Sequence, residues 1–261
     1  MIITEKAQII FNNSLSEEIY SMKLNSPHVA NQAKPGQFVM IRITNDYSFI
    51  LPRPFAIADC TKNMIRIVYR VVGKGTKVLS TRKPGEILNV LGPLGKPIPK
   101  LKNKKVVLCA GGVGIAPLRF LASKLAKNNE IFLYYGAKTK KELILVNELK
   151  PLCRKMVLAT EDGSYGKKGV ILDFLSPDFL RNQKINYIFV SGPLPMLKNL
   201  ELKLQILPEI PVYGFLEANM GCGCGLCYCC GVKTREGKYL RICTDGPVFS
   251  LKKVDLSSLN K

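Results

Sequence analysis

The sequence has no tryptophan and a single histidine, His28, among its 261 residues. A histidine-ligated zinc site or a Ser-His-Asp machine would have to use that one side chain. Its neighbours Ser26 and Pro27 mark a turn, so His28 reads as structural or exposed, which excludes most acid–base and zinc-hydrolase mechanisms. Long apolar runs are missing too. None approaches the roughly 18 residues that cross a bilayer. The opening segment, Met1 to Phe11, carries acidic and polar residues and lacks the apolar core of a signal peptide. The expectation is a soluble, cytoplasmic protein. Acidic residues are few: 19 Asp and Glu against 39 Lys and Arg, a formal charge of +20. The lysines are spread along the chain, and their longest cluster (Lys100, Lys102, Lys104, Lys105) falls in one short linker. No basic face with interleaved aromatics is evident, which argues against nucleic-acid binding and leaves anionic cofactors or an acidic partner as the use of the charge.

What is present is a globular composition, 47% hydrophobic and 22% charged, long enough for one large domain or two small ones. From Met1 to about Leu101 the pattern is strand-like. Gln37–Ile43 and Ile65–Val72 alternate apolar and polar residues, as half-buried strands do. Pro35-Gly36, Lys83-Pro84-Gly85 and Gly92-Pro93-Leu94-Gly95 punctuate them, which suggests a small antiparallel barrel. The character changes near Lys102. Lys104–Ala110 reads as a buried strand, followed by Gly111–Pro117 and then by Leu118, Leu121, Ala122 and Leu125 at helical spacing. Strands are expected at Glu130–Tyr135, Lys155–Thr160, Asn186–Val190 and Val212–Glu217, and helices at Glu142–Leu149, Val170–Leu175 and Pro195–Leu204. Alternating strands and helices imply a parallel, doubly wound sheet. The stretch from Ala218 to Lys261 is too short to bury a core of its own and needs a metal centre and the rest of the chain.

The nine cysteines are unevenly placed: Cys60, Cys109 and Cys153 stand alone, and six fall between Cys222 and Cys243. In a cytosolic chain such a cluster argues for metal rather than disulfides. Cys222, Cys227, Cys230 and Cys243 form C-x4-C-x2-C-x12-C, whose first three members have the spacing of a plant-type [2Fe–2S] loop. Gly221, Gly223 and Gly225 give the loop unusual dihedral freedom and let amide N–H groups approach sulfur. Structural zinc is the alternative, although it usually takes two separated C-x2-C pairs, and Cys243 has no close partner in sequence. Cys224 and Cys229 leave ligand exchange open, since Cys224 and Cys227 also form C-x2-C. The three lone cysteines read as small hydrophobes.

Two further groups of residues suit anionic cofactors. Gly111-Gly112-Val113-Gly114 follows a strand and precedes a helix, a context in which a helix N-terminus faces a phosphate. It is not G-x-G-x-x-G, and it is equally a generic βα turn. Arg53-Pro54-Phe55-Ala56, with Val68-Tyr69-Arg70 and Gly73-Lys74-Gly75-Thr76, brings two arginines able to neutralise a pyrophosphate and a helix start able to offer N–H groups. Each piece alone is equally an ordinary turn.

In their joint order, over essentially the whole chain, these segments resemble the ferredoxin-reductase superfamily. Within it they are similar to the electron-transfer subunits of the two-subunit, NAD-dependent dihydroorotate dehydrogenase. The family's flavin signature, Arg-Pro-hydrophobic-Ser, stands here as Arg53-Pro54-Phe55-Ala56, with Ala56 in place of the hydroxyl residue and one hydrogen bond fewer. Val68-Tyr69-Arg70, Gly73–Thr76 and Gly92–Gly95 match the next blocks. Ala110–Pro117, Tyr135-Gly136-Ala137 and Ser191-Gly192-Pro193 match the nicotinamide side. Met220–Gly223 through Cys243–Phe249 matches the cluster block, with Cys224 and Cys229 at positions that are not cysteine in the family.

The resemblance implies an α+β chain of three parts: an antiparallel FAD-binding β-barrel at 1–101, a doubly wound NAD-binding α/β domain at 102–217, and a [2Fe–2S] subdomain at 218–261. It assigns Arg53, Pro54, Phe55, Ala56, Val68, Tyr69, Arg70, Gly75, Thr76, Gly111, Gly112 and Gly114 to cofactors, and Cys222, Cys227, Cys230 and Cys243 to the cluster. It implies an oxidoreductase component without catalytic residues of its own. NAD(H), FAD and the cluster would pass electrons to and from an FMN-containing catalytic subunit of pyrimidine biosynthesis, in a heterotetramer of two plus two. Rival readings are the small flavin subunit of an NADP transhydrogenase, sulfide dehydrogenase or hydrogenase, a zinc-stabilised binding protein, and a free-standing flavin reductase.

Overall fold

The computed structural model describes residues 2–44, 46, 48–204 and 209–259, residue 204 by its backbone alone. Met1 and Lys261, the outer limits of the expected parts, lie outside these residues. The chain forms two compact units. One comprises the chain up to Ile98 together with Glu217–Gly231 and Leu240–Pro247; the other comprises Pro99–Leu216, Val232–Tyr239 and the chain from Val248 onward.

The first unit is built on a closed six-stranded barrel. Its strands are β1 (Ile3–Ser16), β2 (Ile19–Asn25), β3 (Phe38–Arg42), β4 (Arg53–Thr61), β5 (Met64–Arg70) and β6 (Ile87–Leu94), in the order β1-β2-β5-β4-β3-β6. All pairings are antiparallel, as the close spacing of short alternating runs requires. Two helices lie between strands, α1 (Pro27–Gln32) and α2 (Lys74–Ser80). Closure leaves no strand edge to be protected.

One expected alternation is not observed. Phe38, Val39, Met40 and Ile41 of β3 are all buried. Val39 and Ile41 face one side and Phe38 and Met40 the other. The second side is covered by the cysteine segment: a side-chain carbon placed on Gly223 would come within 2.8 Å of Met40 Cγ and 3.0 Å of Leu94 Cδ1. One placed on Gly95 would meet Pro247 Cδ at 2.7 Å. The barrel wall thus buries an extra apolar layer, about 1.5–3 kcal/mol for each large side chain so covered, and fixes where the cysteine loop sits.

The second unit is a seven-stranded sheet. Its strands are β7 (Lys105–Gly111), β8 (Glu130–Ala137), β9 (Lys155–Thr160), β10 (Lys167–Lys168), β11 (Tyr187–Ser191), β12 (Val212–Phe215) and, after the short pair β13 (Gly231–Lys233) and β14 (Tyr239–Arg241), β15 (Val248–Ser250). The order is β10-β9-β8-β7-β11-β12-β15. The sheet is parallel except at its edge, where β15 runs antiparallel to β12. This is the expected parallel, doubly wound sheet with one antiparallel strand added at its edge, a common arrangement in such folds. Helix α3 (Ile115–Leu125) buries Leu118, Leu121, Ala122 and Leu125, the expected stripe.

The remaining helices are α4 (Val146–Leu149), α5 (Pro177–Asn182), α6 (Leu194–Leu204) and α7 (Ile242–Asp245). The expected helix over Glu142–Leu149 is broken. A 3-10 turn at Lys140–Glu142 and the single turn α4 flank Leu145, whose φ is 59°. The cause is Tyr135, whose hydroxyl donates to Glu142 O (2.9 Å) and accepts from Ile144 N (3.1 Å), so the buried ring competes for the helix's own backbone groups. Val170–Leu175 is a 3-10 turn over Ile171–Phe174 rather than an α-helix. Ser26-Pro27 opens α1 rather than only a turn, and α5 starts the same way at Ser176-Pro177, with proline at the first helical position where its missing N–H matters least. His28 is exposed on α1.

Candidate functional site

In the barrel unit, β4 and β5 are antiparallel neighbours, with Ile57 opposite Ile67. Arg53 at the start of β4 and Arg70 at the end of β5 therefore sit at the same end of the barrel. Helix α2 begins four residues after Arg70, and a side-chain carbon on Gly75 would lie 3.5 Å from Arg53 Nε. The fold thus gathers Arg53, Arg70, Gly75 and Thr76. Arg53 Nη1 donates to Leu51 O (2.6 Å), and Arg70 pairs with Glu18 at 3.5 Å. Thr76 Oγ1 accepts from Gly73 N (3.1 Å) and Val72 N (3.0 Å) and donates to Gly73 O (3.0 Å), so its hydroxyl caps its own helix.

Other candidates from the same motifs are not on that surface. Phe55, Val68 and Tyr69 are buried. Tyr69 donates to Asn12 Oδ1 (3.0 Å) and stacks on Tyr20 with centroids 5.8 Å apart; burial pushes its phenol well above the ordinary range. These three hold the barrel wall, while Pro54 and Ala56 are half-buried.

In the sheet unit, strand order reverses between β7 and β11. Open α/β sheets bind ligands at such a switch point, beyond the carboxyl ends of the strands. There the Gly111–Gly114 turn meets Ser191-Gly192-Pro193. A side-chain carbon on Gly114 would lie 2.4 Å from Ser191 O, and one on Gly111 would lie 2.7 Å from Met196 Sδ. Gly112 takes φ +52°, open to glycine at little cost. Glycine is thus required at 111 and 114 for the two turns to touch, a reason that stands apart from any ligand. The two turns also leave the N-terminus of α3, eleven residues long, facing that crevice.

The cysteine loop belongs to the barrel unit. Cys230 and Cys243 are buried, Cys222 is half-buried, and Cys224, Cys227 and Cys229 are exposed. Among the described residues no three His, Cys, Asp or Glu side chains converge as the ligands of one ion would. Backbone N–H groups reach two of the sulfurs. Cys227 N donates to Cys222 Sγ at 3.4 Å, and Cys243 N donates to Cys230 Sγ at 3.4 Å. Burial works against the Cys222 thiolate, but the N–H groups of Cys227, Cys224 and Leu226 and the Cys227 thiol outweigh it and bring the group down to about 6. Burial, then the hydrogen bond and charge of Cys230, push Cys243 up to about 12.

Four thiolates are the donor set of a [2Fe–2S] centre, and this region offers six thiols. Further features agree with a bound group. Thr244 Oγ1 is buried without a hydrogen-bond partner beside Cys243. Gly223 and Gly225 have φ of +70° and +87°. Gly221 leaves a gap in which a side-chain carbon would stand 3.4 Å from Cys227 Sγ.

Comparison with known proteins agrees with this geometry. The model of the iron-sulfur cluster binding domain of dihydroorotate dehydrogenase B matches residues 217–255, and that of the oxidoreductase NAD-binding domain matches residues 108–201. A dihydroorotate dehydrogenase B (NAD(+)) electron transfer subunit homolog of Aquifex aeolicus is 36% identical, over 98% of this chain and 100% of the relative. The electron transfer subunit of Caldanaerobacter subterraneus subsp. tengcongensis is 37% identical, over 95% and 97%. The chain belongs to the family of dihydroorotate dehydrogenase B electron-transfer subunits.

Solved structures extend the likeness. An NADH-dependent reduced ferredoxin–NADP oxidoreductase, described in connection with flavin-based electron bifurcation, superposes with a TM-score of 0.87 at 35% identity, over 97% of this chain and 91% of that one. A ferredoxin NADP+ reductase from Neisseria gonorrhoeae shares the fold (TM-score 0.67, 15% identity, 81% of this chain and 98% of that one). This family member is an oxidoreductase component with an iron–sulfur domain and an NAD-binding domain. No helix among the described residues is long and apolar enough to cross a membrane.

What sequence reasoning missed at the site is Arg241 and Asp245. They lie inside the matched block but carry no spacing signal of their own.

Proposed function

We propose that this chain passes electrons between NAD(H), a bound FAD and a [2Fe–2S] cluster, to and from an FMN-containing dihydroorotate dehydrogenase subunit of de novo pyrimidine (UMP) synthesis. The observation that carries this reading is the gathering of Cys222, Cys227, Cys230 and Cys243 in one cysteine region whose loop is seated against the barrel. The designation of the relatives as electron transfer subunits supports a separate catalytic partner. When bound, the flavin links two-electron to one-electron transfer and the cluster carries single electrons. The chain's own task is positioning. Arg53 and Arg70 would neutralise the flavin's pyrophosphate. Pro54, Phe55, Ala56, Val68, Tyr69, Gly75 and Thr76 would shape that site, with Phe55, Val68 and Tyr69 acting from within the wall. Gly111, Gly112 and Gly114 would let the nicotinamide cofactor's phosphates approach the N-terminus of α3.

The reading divides the chain into 1–101 for FAD, 102–217 for NAD and 218–261 for the cluster. It places the protein in the cytoplasm, in a heterotetramer of two plus two. A second reading, the small subunit of an NADP transhydrogenase, is favoured by the 0.87 TM-score and 35% identity to the ferredoxin–NADP oxidoreductase. Co-purification with each candidate partner separates them. Dihydroorotate-dependent reduction of NAD+ that requires both chains supports the first reading. Activity only with ferredoxin and NADP+ would overturn it.

A further inference from the structure

Arg241 ends β14, directly before the short helix α7 that carries Cys243. Its side chain touches three parts of the cysteine region. Nη1 donates to Gly225 O at 3.2 Å, between Cys222 and Cys227 in sequence. Nε donates to Asp245 Oδ2 at 3.4 Å, and the Arg241 backbone N donates to the same oxygen at 2.8 Å. The guanidinium lies 5.2 Å from the centroid of the Tyr228 ring, within cation–π range. Asp245 Oδ1 in turn stands 3.9 Å from Lys96 Nζ, just beyond β6. One side chain therefore joins the helix of Cys243, the loop of Cys222 and Cys227, and the residue that separates Cys227 from Cys229.

The conformations it holds are ones the chain would otherwise avoid. Tyr228 has φ +57°, unusual for an aromatic residue, and its side chain is more than half exposed. Little burial favours that state; the turn bond from Gly231 N to Tyr228 O (3.0 Å) and the contact with Arg241 hold it. Gly225 has φ +87°, and a side-chain carbon there would come within 3.3 Å of Arg241 Nη1 and 2.9 Å of Thr244 Cγ2. The close approach of Arg241 is thus built into the loop.

The charge has a second consequence. A two-iron cluster held by four thiolates is a dianion when oxidised and a trianion when reduced. A fixed cation beside its ligand loop favours the reduced form, and a fixed anion opposes it. Arg241 cannot lose its proton in a protein. Lysine would keep the charge but not the fork that reaches Gly225 and Asp245 together.

We propose that Arg241 is a positioning residue for the cluster, which clamps the ligand loop through Gly225 and Tyr228 and, opposed by Asp245, raises the cluster's reduction potential. This rests on the cluster reading above. The test is a potentiometric titration of anaerobically purified full-length protein, followed by electron paramagnetic resonance, with iron assayed on each sample. Arg241→Gln should lower the ratio of reduced to oxidised cluster at the parent midpoint about three- to tenfold, a downward shift of roughly 30–60 mV at 59 mV per tenfold for one electron. Asp245→Asn should shift it upward, and Arg241→Lys should stay nearer the parent in potential while losing iron faster. A purely structural role would lose iron without opposite shifts. An Arg241→Gln protein with full iron and an unchanged midpoint overturns the proposal. If that variant holds no iron, Asp245→Asn decides: an unchanged or lowered midpoint overturns it. A parent protein without iron overturns the cluster reading and this proposal together.

Discussion

Six thiols share the cysteine region, where Cys227 N donates to Cys222 Sγ and Cys243 N donates to Cys230 Sγ. Cys224 and Cys229 are exposed, and their thiols are hydrogen-bonded to those of Cys222 and Cys227. Serine at either of these two should leave about two irons per chain, whereas serine at Cys222, Cys227, Cys230 or Cys243 should reduce iron content and bleach the visible spectrum; iron assay and absorption check both. Loss of iron from Cys224→Ser would mean that the ligand set had been drawn wrongly. The three spacings of C-x4-C-x2-C-x12-C were visible in sequence because a short loop must wrap the sulfurs. The role of Cys224 and Cys229 was not, because C-x2-C fits Cys224 with Cys227 as well as Cys227 with Cys230.

Cys109 differs in kind. It is buried inside β7, and burial pushes its thiol from the ordinary 9.0 to about 12. Between these values the unfolded chain has lost a proton that the folded chain keeps, so stability falls as pH rises. One such group contributes about 1.4 kcal/mol per pH unit over that window and nothing below it. The Cys109→Ala variant should therefore lose stability less steeply than the parent between pH 9 and 11 in denaturant unfolding, whatever its lower starting value. Equal slopes would contradict this.

At the scale of elements, the glycine turn after β7 serves packing first. Gly114 meets backbone, Ser191 O and Gly192 N, and backbone cannot swing aside. Gly114→Ala should cost about 1–3 kcal/mol and weaken NADH binding, as read by urea midpoint and by titration. Unchanged stability would show that the two turns are not pressed together. The sequence made this turn visible as a turn, but not its partner, because contact between β7 and β11 depends on a strand order set by the whole sheet. The same limit explains β3, where a local pattern of alternation could not reveal that the cysteine loop covers its second face. It also explains Glu142–Leu149, where helical spacing was overruled by the Tyr135 hydroxyl. Strands and helices whose side chains face a single layer, such as β5 and α3, were readable from periodicity alone.

At the scale of the molecule, the barrel, the sheet and the cysteine loop each bring one kind of binding chemistry: arginines at one barrel end, a switch-point crevice, and a group of thiols. Residues after 217 are divided between the two compact units. A linear reading has no access to that division, because the tail returns as β15 at the sheet's edge only after the cysteine loop has joined the barrel unit. Electron transfer requires that all three cofactors be bound by one chain and be connected.

The most direct measurement is an anaerobic titration of the purified protein with NADH, followed by visible absorption and low-temperature electron paramagnetic resonance. The expected result is about two irons per chain, bleaching of flavin bands by NADH, and a paramagnetic signal from the reduced cluster. A colourless protein that holds zinc and no flavin, or one whose flavin is reduced while no cluster is present, would contradict an electron relay built into this chain.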